Sequence, residues 1–172
     1  MVSQPVMTAE KSGRMGGLWR YALVIVLLAA VVGVATFAVL SDSSIHGLTV
    51  RFYNVSWAYS CGSTSPTLTY TFGSVVVYSS NSLTTSLSHV LFLMSTNGIA
   101  VGNRTVADSS FGSGQSASYN ALQFSNTALN PQSQPSSSVI ALTINAQIAA
   151  GLYSSQASAS YSEVIHFPNL SC

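Results

Sequence analysis

The longest hydrophobic run of the chain covers residues 21–40 and contains no charged side chain. A helix rises about 1.5 Å per residue, so this segment would be about 30 Å long, close to the hydrocarbon thickness of a bilayer. Its apolar residues fall on every side of such a helix, whereas a helix at the surface of a soluble protein keeps a polar side. The pattern therefore predicts a membrane-spanning helix over 21–40.

Basic residues next to this segment predict its orientation. Lys11, Arg14 and Arg20 all precede the apolar run. Cytoplasmic flanks of membrane helices are enriched in such residues, so we expect the tail 1–20 in the cytoplasm and residues 41–172 outside the cell. The lipid bilayer is then the first expected partner.

Three fates are open for the apolar segment. It can remain as an uncleaved anchor, or it can be removed as a secretory signal, although signals usually have only about 7–15 apolar residues. In the third case, the glycines at positions 13, 16 and 17, with Lys11 and Arg14 nearby, resemble the short basic, glycine-containing leader that archaeal prepilin peptidases cut.

Downstream of Ser41, apolar and polar residues alternate over short runs separated by clusters of Ser, Gly, Asn and Pro. Alternation with a period of two predicts strands that bury one face, and it is clearest over 67–72 and 140–145. Residues 48–57 also predict a strand, in which the apolar positions change parity and indicate a bulge near Tyr53.

Two further runs, 75–78 and 90–94, are continuously apolar and predict strands buried on both faces. Asn97-Gly98 predicts a two-residue hairpin, and the weakly patterned residues 109–138 predict a surface loop. About seven or eight strands in 41–172 predict an all-β fold, an antiparallel β-sandwich with immunoglobulin-like connectivity.

The scarcity of charge excludes some classes of function. Charged residues make up 5% of the chain, against about 25% in typical globular domains. Five Lys and Arg in 172 residues cannot replace the counterions of a phosphate backbone, so no nucleic-acid partner is expected.

The exterior region 41–172 contains three carboxylates, Asp42, Asp108 and Glu163. Acid denaturation acts mainly by protonating carboxylates, so we expect stability to depend weakly on acid pH. Exterior proteins of acid-loving archaea resemble this composition, rich in Ser, Thr and Val and nearly uncharged, and the resemblance implies such a source.

The cysteines and the N-glycosylation sequons give the candidate modification sites. Cys61 and Cys172 can form a disulfide in an exterior domain, while two free thiols or a bridge from Cys172 to another subunit remain alternatives. Asn54, Asn103 and Asn169 each begin an Asn-x-Ser/Thr sequon and predict N-linked sugars outside the cell.

No catalytic, cofactor-binding or metal-ligating residue is predicted. His46, His89 and His166 lie in no HExxH pattern, and Cys61 lacks the neighbouring His and Met of a copper site. Glu163 and His166 are three apart in one predicted strand and point to opposite faces. We therefore expect a protein that is not an enzyme.

The order of segments, a tail 1–20, a helix 21–40 and a β domain 41–172, resembles that of archaeal surface-appendage proteins, the type IV pilins and the archaellum stator proteins. The resemblance lies in this layout and in no sequence motif. It implies a non-enzymatic, membrane-anchored surface protein, a structural subunit of an envelope, pilus-like or virion assembly that contacts other protein subunits.

Two alternatives of function stay open. The chain can be an accessory single-span subunit of a respiratory-type membrane enzyme complex whose active groups lie in partner chains. It can also be a filament subunit linked by strand exchange, which predicts a sandwich that receives a strand from the next copy.

Overall fold

A computed structural model describes residues 15–60, 67–79, 83–126, 137–151 and 153–166. In this part of the chain, one helix precedes eight strands, and the whole chain divides into two compact units, Met1–Phe37 and Ala38–Cys172. The elements are α1 Met15–His46, β1 Leu48–Ser60, β2 Thr67–Ser79, β3 Thr85–Thr96, β4 Ile99–Thr105, β5 Ser109–Phe111, β6 Ser116–Asn126, β7 Ser137–Ala150 and β8 Tyr153–His166.

Helix α1 is apolar on all sides. Its segment Trp19–His46 has a mean hydropathy of 3.0 over its most apolar stretch, and no side chain of that stretch is buried inside the protein. Leu28, Val31 and Val34 are 59%, 62% and 68% exposed, respectively. This confirms one helix long and apolar enough to cross a membrane, a property that anchors and signal sequences share. The helix begins before and ends after the predicted span.

The last turns of α1 belong to the β-rich unit, where Ser41, Ser44 and Ile45 are buried. The Ser44 hydroxyl donates to the carbonyl of Leu40 at 3.0 Å, and Ser79 Oγ donates to the Ser44 carbonyl at 3.1 Å. These bonds satisfy polar groups that would otherwise be costly to bury. They explain how the helix continues past the predicted boundary into a serine-rich sequence.

The strands form two antiparallel sheets. Sheet A has the order β1-β2-β6, and sheet B has the order β4-β3-β7-β8, with β5 also paired to β3. This is the strand order of an immunoglobulin-like Greek key, in which sequential hairpins are divided between two facing sheets. The predicted all-β sandwich is confirmed.

Apolar side chains from both sheets meet in one core. Its aromatic rings pack edge to face, a geometry that contributes about 0.5–1.5 kcal/mol per pair beyond area burial. The ring pairs, with centroid distances, are Phe52–Phe72 at 5.1 Å, Phe52–Tyr161 at 5.1 Å, Phe72–Phe124 at 5.6 Å and Phe92–Tyr119 at 5.3 Å. Phe52 thus joins β1 of sheet A to β8 of sheet B.

Asn54, Gly73 and Ala121 lie in one row across sheet A, which we call the kink row. The register on both sides of it runs Tyr53↔Ser74↔Asn120 and Val55↔Phe72↔Leu122. Asn54 and Ala121 have φ values of 56° and 53°, and the buried positions change parity at this row in all three strands. The predicted bulge near residue 53 is therefore a kink without an inserted residue.

A bulge with an inserted residue lies in β3, and the pairing of β3 with β4 has a second register shift between Met94 and Ser95. The pairing of β3 with β7 shifts between Ser88 and Leu91, and His89 has a φ of 53°. One extra residue is accommodated there. The buried positions therefore change parity, from odd-numbered residues up to Leu87 to even-numbered residues from Val90 onward.

The predicted hairpin is confirmed. Asn97 and Gly98 both have positive φ, 49° and 79°, as a type I′ turn requires. The Asn97 side chain also accepts a bond from the Val139 N–H at 2.9 Å and donates to Ser138 Oγ at 3.2 Å. The turn of β3–β4 is thereby attached to the start of β7.

Two expectations about the strands were wrong. The runs 75–78 and 90–94 each bury alternate residues and leave the others half-buried, because each lies in a sheet with one face on the core. The predicted loop 109–138 contains β5 and β6 in its described part. Strand β6 is an edge strand that buries Ala117, Leu122 and Phe124, and the parity change at Ala121 hides its alternation.

Candidate functional site

The sequence-predicted modification sites are only partly within the described residues. Asn54 lies exposed in the kink row of β1, and Asn103 lies exposed on the edge strand β4. Both acceptor amides are therefore open to solvent. Cys61, Cys172 and Asn169 lie outside the described residues, and their pairing and modification stay predictions.

Acidic and imidazole side chains do not converge in the described ranges, where no group of three or more His, Cys, Asp or Glu residues could hold a metal ion. One close pair occurs at the end of α1, where His46 Nδ1 lies 3.5 Å from Asp42 Oδ1 and both side chains are about three-quarters exposed. Glu163 is exposed near the end of β8. It is not buried against a basic residue.

Hydroxyl groups bond across strands on the outer faces of both sheets. The pairs, with distances between side-chain oxygens, are Thr69–Ser125 at 3.0 Å, Ser74–Ser118 at 3.2 Å and Thr143–Ser160 at 2.7 Å. Cross-strand pairs of this kind contribute about 0.2–1 kcal/mol each. The outer faces thus use neutral hydrogen bonds where many domains use ion pairs.

An open groove of about 690 Å³ lies on the outer face of sheet B, at the β3 bulge. We call it the amide groove because three carboxamide side chains line it. Its lining residues are His89, Leu91, Asn145, Ala146, Gln147, Gln156, Ala157 and Ser158.

The β3 bulge presents His89 to this groove, and a neighbouring segment fixes the bulge. The carboxylate of Asp108 accepts a hydrogen bond from the His89 N–H at 3.0 Å, and the Val106 N–H donates to the carbonyl of Val90 at 3.0 Å. Residue 89 has no place in the regular ladder, so these bonds replace the ones that the bulge interrupts.

Two tyrosines of the core have shifted pKa values, the half-buried Tyr119 and the buried Tyr70. Burial raises the pKa of Tyr119, the Ser109 hydroxyl at 2.6 Å lowers it, and the charge of Asp108 raises it further. The net pKa of Tyr119 lies above the ordinary value. Burial also raises the pKa of Tyr70, against a smaller lowering by the hydroxyl of Thr96.

Sequence reasoning missed the amide groove. In the sequence, His89 is one of three scattered histidines, and Asn145 is the last residue of the alternating run 140–145. The signal that could have located the groove is the spacing of Asn145 and Gln147, two residues apart, beside Gln156 and Ser158 with the same spacing. Which of these residues pair across the hairpin depends on the register, and the register is known only from the structure.

Comparisons with known proteins identify no family for this chain. The sequence matches no protein-family profile and no curated protein. A solved structure of a protein from Archaeoglobus fulgidus is similar, with 9% identity and a TM-score of 0.40 over 70% of this chain and 100% of that one.

Two further solved structures are similar to the same degree. Spo0M, a sporulation control protein from Bacillus subtilis, has 11% identity and a TM-score of 0.40 over 71% of this chain. The match covers 49% of Spo0M, so this chain spans about half of its length. A structural genomics target, SoR45, has 7% identity and a TM-score of 0.40 over 72% of this chain and 89% of that one. Similarity this low identifies no function.

Proposed function

We propose that the chain is a non-enzymatic, single-span membrane protein whose β-sandwich faces the outside as a structural subunit of an envelope, pilus-like or virion assembly. The observation that carries the proposal is helix α1, whose apolar side chains are exposed on all sides. Such a surface needs lipid or the apolar axis of a filament around it.

The flanks of the helix support the orientation. Lys11, Arg14 and Arg20 precede its apolar part, and the β-rich unit follows it. The positive-inside rule then puts the tail in the cytoplasm and the sandwich outside. An exterior location also makes the exposed Asn54 and Asn103 sequons usable for N-linked sugars, and it allows the disulfide between Cys61 and Cys172 to persist.

The surface chemistry of the sandwich supports a structural role in an acidic exterior, as in the archaeal surface proteins whose layout the chain resembles. Its outer faces carry hydroxyl pairs such as Thr143–Ser160 in place of ion pairs. Hydroxyl groups keep their hydrogen bonds when carboxylates become protonated, so such a surface is insensitive to acid.

The single lysine of the chain offers a test of orientation. Lys11 lies in the predicted cytoplasmic tail, so a membrane-impermeant amine reagent should leave the protein unlabelled on intact cells and label it after permeabilisation. The matched control is Ser162→Lys, at an exposed position of β8, which should be labelled on intact cells.

Labelling of Lys11 on intact cells would contradict the orientation. Mass spectrometry of the native N-terminus separates the three fates. An intact Met1 indicates an anchor, a cut at Gly16 or Gly17 indicates a pilin-type leader, and loss of the whole apolar segment would reject the membrane-anchored protein.

A second candidate, a filament subunit joined by strand addition, is favoured by the free edge of β1. In the described part of the chain, β1 is an edge strand of sheet A, and β8 is an edge strand of the facing sheet B. Apolar side chains directed to the core stay half-buried on this side: Val55, Trp57, Tyr59, Ala157 and Ala159. A strand from a neighbouring copy that paired with β1 would cover them.

Hydrogen exchange distinguishes this candidate from the first. In assembled particles, strand addition should slow the exchange of β1 backbone amides relative to the detergent-dispersed protein, while amides of the central strand β2 stay unchanged. Equal β1 exchange in both samples would leave the helix as the means of assembly and exclude strand addition.

A further inference from the structure

The polar side chains of the amide groove form two pairs across the β7–β8 hairpin. Gln147 is paired with Gln156, and Asn145 with Ser158. Paired side chains lie about 5 Å apart, and successive outward residues of a strand lie about 7 Å apart. The four groups therefore stand at the corners of a frame of about 5 by 7 Å, which is comparable to the face of one pyranose ring.

These four side chains are available to a ligand. Within the described ranges, none of them forms a hydrogen bond with another residue, although other outward hydroxyls such as Thr143 and Ser160 do bond to each other. Each carboxamide offers two donors and one acceptor oxygen in a plane. The frame thus presents unused donors and acceptors side by side, as recognition of neighbouring hydroxyl groups requires.

The floor and walls of the groove suit the apolar parts of a sugar. Ala146 and Ala157 lie between the two polar pairs and direct their side chains to the core, so no side chain fills the space between the pairs on the outer face. Leu91 gives a half-buried apolar wall, and the bulge places His89 at the same wall. A ring that rests its C–H groups on this surface can direct its hydroxyls to the amides.

The charge of the groove narrows the class of ligand. Its lining contains no Asp, Glu, Lys or Arg. Binding of an anion requires a cationic or strongly donating partner, and binding of a hard cation requires several carboxylate or carbonyl oxygens. A neutral, polyhydroxylated ligand fits the groups that are present.

We propose that the amide groove binds a neutral saccharide. The inference deepens the proposed function, because it gives the outward face of the sandwich a class of ligand, the neutral glycans of a cell surface. Binding by the purified chain does not depend on its orientation in a membrane, so the two proposals fail separately.

The test uses the full chain in lipid nanodiscs, because the head groups of alkyl-glycoside detergents are themselves sugars. Maltotriose, cellotriose and mannotriose are titrated to about 10 mM, a range in which weak sites with millimolar Kd become visible. Binding is read by saturation-transfer NMR. The double variant Gln147→Ala/Gln156→Ala removes one polar pair, and Gln123→Ala removes an exposed amide from the opposite sheet as the matched control.

We expect at least one trisaccharide to bind, with affinity reduced about tenfold or more in the double variant and unchanged in Gln123→Ala. Unfolding curves of the two variants should coincide, since all three amides are exposed. The proposal is overturned if no trisaccharide binds, if the double variant binds as well as the wild type, or if glucuronate, an anionic sugar, binds more tightly than the neutral ones.

Discussion

The carboxylate of Asp108 accepts a hydrogen bond from the backbone N–H of His89, with 3.0 Å between Oδ1 and the nitrogen. The bond joins the segment before β5 to the left-handed residue of the β3 bulge. A bulge leaves its extra residue without a strand partner. Asp108 supplies that partner and holds the wall of the amide groove in position.

The first prediction concerns this bond. Asp108→Ala should lower the free energy of unfolding by about 1–2 kcal/mol, because the His89 N–H loses its acceptor. Asp108→Asn keeps a side-chain oxygen and should lose less. Chemical denaturation of the full chain in nanodiscs, followed by circular dichroism, measures both values. Glu163→Ala, at an exposed carboxylate, should change stability by no more than about 0.5 kcal/mol. An equal loss in both alanine variants would show that the bond has no specific role.

A second prediction concerns Gly73 in the kink row. A Cβ added there would lie 2.9 Å from Asn54 Cβ and 3.2 Å from the Asn54 carbonyl oxygen. Gly73→Ala should therefore destabilise the sandwich by about 1–3 kcal/mol, the usual cost of overpacking. Gly102→Ala is the control, since the nearest atoms to its added Cβ are 4.0 Å away. Similar unfolding midpoints for the two variants would refute the close approach at Gly73.

A third prediction concerns alkaline pH. Tyr70 and Tyr119 have pKa values above the ordinary value of 10.0, chiefly because they are buried. Their neutral forms are favoured in the folded state, so their contribution to stability is complete below about pH 10 and is lost as the pH rises through the raised pKa values. The denaturant concentration at the unfolding midpoint should therefore decrease as the pH is raised above about 10.

Tyr119→Phe removes one of the two groups and should reduce this alkaline loss. In the acid range, we expect the midpoint to change little between about pH 5 and pH 2, because only three carboxylates are present in 41–172. A midpoint that fell steeply in acid, or an alkaline loss unchanged in Tyr119→Phe, would contradict the assignment of pH sensitivity to these groups.

The fourth prediction concerns the helix. Val31 lies near the middle of the apolar segment and is 62% exposed. A lysine there costs about 2.5–3.5 kcal/mol of insertion free energy, a large part of the about 5 kcal/mol that the apolar residues supply. Val31→Lys should therefore reduce the share of protein that stays in the membrane pellet after alkaline carbonate extraction. Ile99→Lys, an exposed apolar residue of the sandwich, should leave that share unchanged.

The sequence predicted those elements whose pattern is local. The apolar helix, the alternation of 67–72 and 140–145 and the Asn97-Gly98 turn each follow from neighbouring residues, and the structure contains all of them. The parity change near Tyr53 was also visible locally. The cause of this change was not visible, because a bulge and a left-handed residue without an insertion change the parity of the apolar positions in the same way.

The elements that were missed depend on distant partners. Strand β6 is rich in Ser, Asn, Gln and Ala and is a strand because β2 pairs with it along its whole length. The burial of Ser44 depends on Ser79, which lies 35 residues away. The amide groove requires the register of β7 with β8 and the bulge of β3 together.

The kink row gives sheet A a means of alignment that its side chains lack. Most outward residues of this sheet are interchangeable hydroxyls and amides, and a strand that slipped would find nearly equivalent partners. Asn54 approaches Gly73 so closely that a Cβ at residue 73 would lie 2.9 Å from the Asn54 Cβ, so the left-handed conformation of Asn54 requires a glycine beside it. The row therefore favours one alignment, so backbone shape sets the register of three strands that carry a single charged residue, Arg51.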